Sequence, residues 1–385
     1  MPPARSSNAS SRSPRPALAR LPHRAAALIV GIALLAGCDG GTSRPSPDET
    51  RRTLERLMPR HVKDRADWAR DIQAAFAALD LDPSHTNLCA VIAVTDQESN
   101  FSPQPKVPGL GKIARKEIET RAERKRVPLF LVRAALQLES PDGRTWDQRI
   151  AEVQTEKELS DVYEELIAKV PLGRRLLADA NPVRTGGPMQ VSIAFAEAHA
   201  DDRRYPFAHA GSIRHEVFTR RGGMYFGIAH LLDYPASYEK PIHRFADFNA
   251  GRYASRNAAF QNAVSVATGI PLDLDGDLVR HRRAKAGDGI GDTERAVRTL
   301  APKLGMEPAQ IRRALSNAHR HDFEGSALHA RVFEIADKRN GKPLPRAMLP
   351  RIRLESPKIT RRLTTAWFAN RVDARYRDCM ARVPR

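Results

Sequence analysis

A carboxylate beside a hydroxyl, at the end of an apolar helical run, is the feature of this sequence best suited to chemistry. The run from Leu88 to Val94 leads into Asp96-Gln97-Glu98-Ser99-Asn100-Phe101. At about 100° per residue, Glu98 lies about 20° from Val91 around a helix, so its side chain is predicted to point toward apolar packing. Burial favours the neutral carboxyl group, which donates a proton. Glu98 is therefore a candidate general acid of the kind that glycosidases use; a surface glutamate at a frayed helix end is the alternative.

The segments that must position Glu98 are predicted to be helical almost throughout. Alanine, leucine, arginine and glutamate are abundant and β-branched runs are rare, which favours helix. Thr86 is predicted to cap the helix that carries Glu98. The Gly-Gly-Pro sequence at 186–188 indicates another start, with Pro188 in the first turn of a helix that runs to His199. Residues 357–383 are predicted to form the last helix.

The N-terminal segment has the organisation of an export signal. Five arginines and no acid precede an apolar stretch at 25–36, which ends in Gly37 and Cys38. This stretch is too short to span a bilayer, and residues 1–38 are predicted to be a secretory signal. Leu35-Ala36-Gly37-Cys38 also resembles the bacterial lipobox, whose cysteine is lipidated and becomes the new N-terminus. An ordinary signal peptide with an incidental cysteine is the alternative.

Lipidation of Cys38 would anchor the protein to a membrane without spanning it, facing the periplasm. Residues 39–48 would then form a flexible tether. Asp39 occupies the position that is associated with inner-membrane retention in enterobacterial lipoproteins, a rule that is not general, so the choice between inner and outer membrane stays open. An exported compartment permits a disulfide between Cys89 and Cys379, with two separate buried thiols as the alternative.

The chain is basic, with a formal net charge of +18, to which the leader's five arginines contribute five. A basic surface suits anionic partners such as wall polymers, phospholipid headgroups or nucleic acid, and export argues against nucleic acid. No cofactor or metal site is predicted. The segment at 273–277 lacks the glycine position and closing acid of a calcium loop, and the histidines lack the spacing of a zinc helix.

Two units are predicted for the chain beyond the tether. Residues 49–275 would form the core, in which 103–183 is a helical insertion because nothing there reads as a chemical motif. A polar stretch rich in glycine and aspartate at 271–291 indicates a boundary. Residues 276–385 would form a helical C-terminal region.

Three short segments, in order, resemble the lytic transglycosylases of the lysozyme-like superfamily. They are Gln-Glu-Ser-Asn-Phe at 97–101, Gly-Pro-Met-Gln at 187–190 and Phe-Asn-Ala-Gly at 248–251. Those enzymes carry a Glu-Ser pair with an aromatic residue shortly after, a Gly-Leu-Met-Gln turn and an Ala-Tyr-Asn-Ala-Gly turn. Residues 227–232 are also similar to the helix before that last turn. The resemblance covers about 88–251 and implies a mostly α, lysozyme-like helical core. The whole chain, in addition, resembles a proteobacterial family of uncharacterised lipoproteins, domain of unknown function 1615, which supplies no activity.

The transglycosylase resemblance implies a role for each matched residue. Glu98 matches the sole catalytic acid/base and Ser99 its neighbouring hydroxyl, while Met189 and Gln190 match residues that line sugar subsites. Asn249 matches the polar residue of the last turn. The implied substrate is the peptidoglycan glycan strand, cleaved with help from the substrate's own N-acetyl group to give a 1,6-anhydro product, so no second carboxylate is required.

One departure from the family pattern matters for activity. Phe248 stands where the family usually has tyrosine, so a hydroxyl near the catalytic carboxylate is missing, and Tyr225 is a candidate to supply it. We therefore expect a membrane-anchored lytic transglycosylase. The alternatives are a non-catalytic peptidoglycan-binding or scaffold lipoprotein of the same fold, which Phe248 favours, and a hydrolytic muramidase. Protein partners cannot be deduced from the sequence.

Overall fold

The polypeptide folds mostly into helices, as its composition predicts. The computed structural model describes residues 44–169, 181–279, 289–354 and 363–384. The predicted signal peptide, Cys38 and residues 39–43 of the predicted tether lie outside these ranges. Residues from Arg44 onward form one unit. Within the described ranges, no helix is both long and apolar enough to cross a membrane.

Seventeen α-helices and four two-residue strands make up the described ranges. The helices are α1 (Pro47–Leu57), α2 (Arg65–Ala78), α3 (His85–Ser99), α4 (Leu110–Arg124), α5 (Leu129–Leu136), α6 (Trp146–Glu152), α7 (Glu156–Ala168), α8 (Ile193–Asp202), α9 (Ile213–Val217), α10 (Arg220–Leu232), α11 (Ile242–Ala250), α12 (Ala254–Thr268), α13 (Asp292–Thr299), α14 (Ala301–Leu304), α15 (Pro308–Ser316), α16 (Ala327–Asn340) and α17 (Thr365–Met380). The strands are β1 (Thr185–Gly186), β2 (Val191–Ser192), β3 (Arg353–Leu354) and β4 (Leu363–Thr364).

Helix α3 begins two residues earlier than its predicted cap requires. The Ser84 hydroxyl accepts a hydrogen bond from the backbone N–H of Asn87, and the helix runs from His85 to Ser99. The prediction that Thr86 caps this helix is therefore wrong. Both residues are good caps, and the choice depends on where the preceding loop leaves the helix axis.

The Gly-Gly-Pro segment starts a hairpin turn and not a helix. Strands β1 and β2 pair antiparallel, with Gly186 opposite Val191, so residues 187–190 form the turn between them. The predicted placement of Pro188 in a first helical turn is wrong, and α8 begins only at Ile193. Gly187 has φ +73°, and a Cβ there would lie 2.1 Å from the carbonyl oxygen of Val217, so only glycine fits.

The last helix is shorter than predicted and belongs to the first of two hydrophobic cores within the described residues. It begins at Thr365 directly after β4, and residues 357–362 of the predicted helix lie outside the described ranges. Phe368, Ala369 and Val372 of α17 are buried with residues of α1–α3, α10 and α11. Helices α12, α13, α15 and α16 contribute to the second core. The predicted C-terminal region thus contributes to both cores.

A disulfide links α3 to α17 within the first core. Cys89 of α3 is bonded to Cys379 of α17 across 290 residues of sequence, and both cysteines are buried. Tyr376, which also belongs to α17, packs against Phe245 of α11, with ring centroids 5.7 Å apart. Helix α17 therefore lies against both α3 and α11, which carry two of the three motif segments.

Candidate functional site

The end of α3 places Glu98 between the core and the surface. Val91 and Val94, which share its helical face, are completely buried, whereas the Glu98 side chain is half-buried. Ser99 is buried, and its hydroxyl donates a hydrogen bond to the carbonyl of Thr95 at 3.1 Å. The predicted direction of the Glu98 side chain is consistent with this position, although the burial is partial and not complete.

The neighbouring carboxylate of Asp96 is paired with an arginine of α17. Its Oδ2 lies 2.8 Å from Nε of Arg375, and its Oδ1 lies 3.0 Å from Nε2 of His61. Arg375 belongs to α17, so this ion pair reinforces the α3–α17 contact made by the disulfide. Asp96 is thus part of the packing between α3 and α17.

The chain leaves α3 through two consecutive left-handed residues. Asn100 has φ 52° and Phe101 has φ 58°. The Phe101 ring is buried edge-on against Trp68 of α2, with centroids 5.2 Å apart. A bulky residue in this conformation costs about 1–3 kcal/mol, and such residues concentrate at functional sites. Phe101, the aromatic residue of the motif, therefore anchors the chain where it leaves α3, through its contact with Trp68 of α2.

The hairpin turn packs on α10 through Met189. The Met189 side chain is fully buried. A Cβ added at Gly227 of α10 would lie 2.5 Å from both Cβ and Sδ of Met189. Gln190 is half-buried, has φ 50°, and donates a hydrogen bond from Nε2 to the Gly187 carbonyl at 3.2 Å. Met189 thus supports the turn from beneath, and Gln190 is the side chain of this turn that reaches the surface.

The Phe-Asn-Ala-Gly segment closes α11 and touches two other helices. The Phe248 carbonyl accepts a hydrogen bond from Nε2 of His230 on α10 at 3.2 Å, and the two rings lie 5.1 Å apart. Asn249 is exposed, and its Oδ1 accepts a hydrogen bond from the Thr365 hydroxyl at 3.0 Å. Burial lowers the pKa of His230 to about 4, so this imidazole is neutral near pH 7.

A buried aspartate, which the sequence analysis did not single out, organises the same turn. Asp247 accepts hydrogen bonds from the backbone N–H groups of Tyr253 at 2.9 Å and Ser255 at 2.7 Å. The hydroxyls of Tyr238 and Tyr234 donate to it at 2.6 and 3.3 Å. Burial raises the pKa of Asp247, and these hydrogen bonds act against that rise. A carboxylate on the apolar stripe of a predicted helix is the signal that could have identified it.

Tyr225 is fully buried, and its hydroxyl interacts away from the motif segments. It lies 3.3 Å from Nε2 of His199 on α8, among the rings of Tyr205, Phe207 and Phe226. Burial raises the pKa of the Tyr225 phenol and lowers the pKa of His199. Neither Tyr225 nor Met189 can touch a ligand at the surface without rearrangement, so both fit a supporting role better than direct substrate contact.

Helix α10 contacts two of the motif segments and the helix turn that precedes the other one. Met189 packs on Gly227, Phe248 bonds to His230, and the hydroxyl of Thr95, two residues before the segment at 97–101, lies 3.8 Å from Sδ of Met224. These α10 positions are three residues apart, so the three contacts span about 9 Å of helix. Helix α10 thus links the end of α3 to the turns at 187–190 and 248–251.

A cavity among the described residues lies away from the motif segments. It measures about 850 Å³ and is bordered by α7 and α9, including Lys157, Glu164 and His215. Lys169 and Asn181, the described residues on either side of 170–180, also line it.

Comparison with known proteins identifies the family. Residues 61–382 match the model of a family described as "Protein of unknown function (DUF1615)", and the chain belongs to this family. The "Uncharacterized protein YaiW" of Escherichia coli (strain K12) is 52% identical over 357 residues, which cover 91% of this chain and 96% of that protein. No solved structure matches the chain. The predicted whole-chain resemblance is therefore confirmed.

Proposed function

We propose that this DUF1615 protein is a membrane-anchored lytic transglycosylase that cleaves the glycan strands of peptidoglycan. The observation that supports the proposal is that α10 contacts two motif segments, at Gly227 and His230, and also Thr95, two residues before the first segment, at Met224. These contacts bring together parts of the chain that are about ninety and sixty residues apart in sequence. A lysozyme-like arrangement of the helical core is part of this proposal.

Glu98 would act as the single acid and base. In its neutral form it would protonate the glycosidic oxygen between N-acetylmuramic acid and N-acetylglucosamine, which breaks the bond as the muramic N-acetyl group traps the anomeric carbon. The ionised Glu98 would then accept the proton of the sugar's 6-hydroxyl, whose oxygen displaces the acetyl oxygen from the anomeric carbon and closes the 1,6-anhydro ring. Asp96 is held by Arg375 and His61, which agrees with a mechanism that needs one carboxylate.

Substrate contacts are assigned to the accessible side chains of the other two segments. Gln190 and Asn249 offer amide groups to sugar hydroxyls and N-acetyl groups. Ser99 lies next to Glu98 but is buried, and its hydroxyl is bonded to the helix backbone, so it would orient the end of α3. Phe248 would bring an apolar ring and a His230-bonded carbonyl to the position where the related enzymes have a phenol.

Export and lipidation at Cys38 belong to the same proposal. The sugar polymer lies outside the cytoplasm, so an enzyme acting on it must cross the inner membrane, and the leader at 1–38 has the pattern for that. Either membrane facing the periplasm would place the domain near its substrate.

A non-catalytic wall-binding protein is the second candidate. Phe248 favours it, because its ring lies against His230 and leaves no hydroxyl at this point of the turn. Such a protein would bind glycan strands through the same accessible amides but release no product.

Digestion of purified sacculi tests these proposals. Wild-type protein is expected to release 1,6-anhydro-muropeptides, identified by mass, whereas Glu98→Gln releases none. Glu334→Gln is the matched control, because Glu334 is an exposed glutamate on α16. Products with reducing ends would indicate a muramidase. Sedimentation with sacculi but negligible release from the wild type would favour the wall-binding protein and refute the enzyme.

A further inference from the structure

An apolar surface lies at the junction of α4 and α5, far in sequence from the three motif segments. Phe130, Leu131 and Leu138 are 70%, 51% and 63% exposed, and Val127 is 40% exposed. Of the eight residues of α5, only Leu136 is buried. Single exposed apolar residues are ordinary, but a cluster of four within twelve residues indicates an interaction surface. We call residues 121–138 the α4–α5 elbow.

The elbow continues inward as an apolar groove. A cavity of about 280 Å³ is enclosed by side chains of α4, α5, α6 and α7, with Val127 and Leu131 of the elbow on its wall. Ile118 of α4 and Leu166 of α7 also line it. Helix α5 therefore exposes apolar side chains beside an apolar cavity.

Basic side chains border this apolar surface. The elbow contains five basic residues and one acidic residue. Arg133 pairs with Glu119 and Arg124 with Glu117, whereas Lys125 and Arg126 are exposed and form no ion pair with the described residues. These two cations immediately precede Val127 and Pro128, so positive charge and apolar side chains share one edge of the molecule.

We infer that the α4–α5 elbow is a membrane-docking surface for bilayers that contain anionic phospholipid. Apolar side chains of an interfacial helix enter the boundary between headgroups and acyl chains, while adjacent lysine and arginine side chains bind anionic headgroups. The elbow offers both in the required order, with Lys125 and Arg126 beside Phe130 and Leu131. The adjoining groove gives an acyl chain apolar walls on the protein side. A protein partner would not require the cationic border, so charge complementarity favours the lipid surface.

This inference is independent of Glu98 and of the leader. Residues 44–385 form one unit that contains both cores and the disulfide, so this domain can be prepared without the leader and its cysteine. Co-sedimentation with vesicles then reports binding by the folded domain alone. We expect the domain to sediment with vesicles of phosphatidylcholine and phosphatidylglycerol, to bind phosphatidylcholine alone much more weakly, and to be released in part by high salt.

Two double variants divide the surface into its apolar and cationic parts. Phe130→Ser with Leu131→Ser and, separately, Lys125→Glu with Arg126→Glu are each expected to weaken binding about tenfold or more. The control for the apolar part is Ile270→Ser, because Ile270 is a 40% exposed apolar residue outside the elbow. The control for the cationic part is Lys303→Glu with Arg313→Glu, which makes the same change in net charge at exposed positions. Both controls should bind as the wild type does.

Three results would overturn the inference. The wild-type domain could remain in the supernatant with anionic vesicles, or the controls could lose binding as fully as the elbow variants. The elbow variants could also abolish self-association of the domain in sedimentation velocity without changing vesicle binding, which would make this surface a contact between copies of the chain. Sacculus digestion by Phe130→Ser with Leu131→Ser is expected to proceed at the wild-type rate, which separates this test from that of Glu98.

Discussion

The hydroxyl of Thr365 donates a hydrogen bond to Oδ1 of Asn249 across 116 residues of sequence, at 3.0 Å. Thr365 is the first residue of α17 and is completely buried, whereas Asn249 is exposed at the end of α11. The hydrogen bond thus holds the accessible Asn249 amide in place through Thr365, which is itself buried in the core. It leaves the Asn249 NH₂ group as the donor that could meet a ligand.

Replacing Thr365 with valine tests this arrangement. Valine keeps the shape but removes the hydroxyl, so we expect a loss of about 0.5–1.5 kcal/mol of stability. Because the Asn249 side chain also loses its fixed orientation, glycan release should fall more than the stability loss explains. Urea unfolding and the sacculus assay measure the two effects. Thr365→Ser retains the hydroxyl and should restore the release rate; failure of serine to do so would exclude this hydrogen bond as the cause.

Gly227→Ala should displace the hairpin turn. The added Cβ would lie 2.5 Å from Cβ and Sδ of Met189, and overpacking of this kind costs about 1–3 kcal/mol. Thermal unfolding should show the loss. Met189→Ala in the same chain removes the overlap with Sδ but keeps the Cβ, so it should recover only part of the stability and give a non-additive double-mutant cycle. Gly325→Ala is the control, since the nearest atom to its added Cβ is 3.7 Å away. Additive effects of Gly227→Ala and Met189→Ala would contradict the packing described.

Loss of the disulfide should destabilise the protein strongly. The bond joins residues 290 apart, and removal of a native disulfide costs about 2–5 kcal/mol, in part by freeing the unfolded chain. Cys89→Ala with Cys379→Ala should therefore lower the unfolding midpoint in urea. Reductant should lower the wild-type midpoint by a similar amount and leave that of the double variant unchanged. A further decrease in the double variant would show that reductant acts elsewhere.

Stability should fall as the pH falls below about 6.5, partly because of His230. Burial lowers its pKa to about 4 in the folded state, so between these pH values the unfolded chain binds a proton that the folded chain does not. The contribution reaches about 3 kcal/mol near pH 4. His230→Gln keeps a donor for the Phe248 carbonyl but does not titrate, and should flatten the dependence of the unfolding free energy on pH. His319→Gln, at an exposed position, is the matched control. Equal slopes for His230→Gln and the wild type would refute this assignment.

Local patterns in the sequence identified the elements of this protein but not the way they meet. Periodicity predicts that Glu98 lies near the end of a helix whose central residues, 88–95, are buried, because amphipathic spacing is a property of neighbouring residues. The prediction of a helix start at 187–190 is wrong because Pro188 suits a helix start and a hairpin turn equally. The hairpin turn is favoured by packing against Val217 and Gly227, which are distant in sequence. The Asp247 hydrogen bonds were missed for the same reason, since two of its four donors are tyrosine side chains from the loop before α11.

The bond between Cys89 and Cys379 also sets an order of events in biosynthesis. A chain made from its N-terminus exposes α3 early, yet Cys379 in the helix that covers α3 follows Cys89 by 290 residues. The apolar face of α3 must stay without its final cover until α17 has been made. Translation that stops before α17 would thus leave the first core open and the Cys89 thiol unpaired.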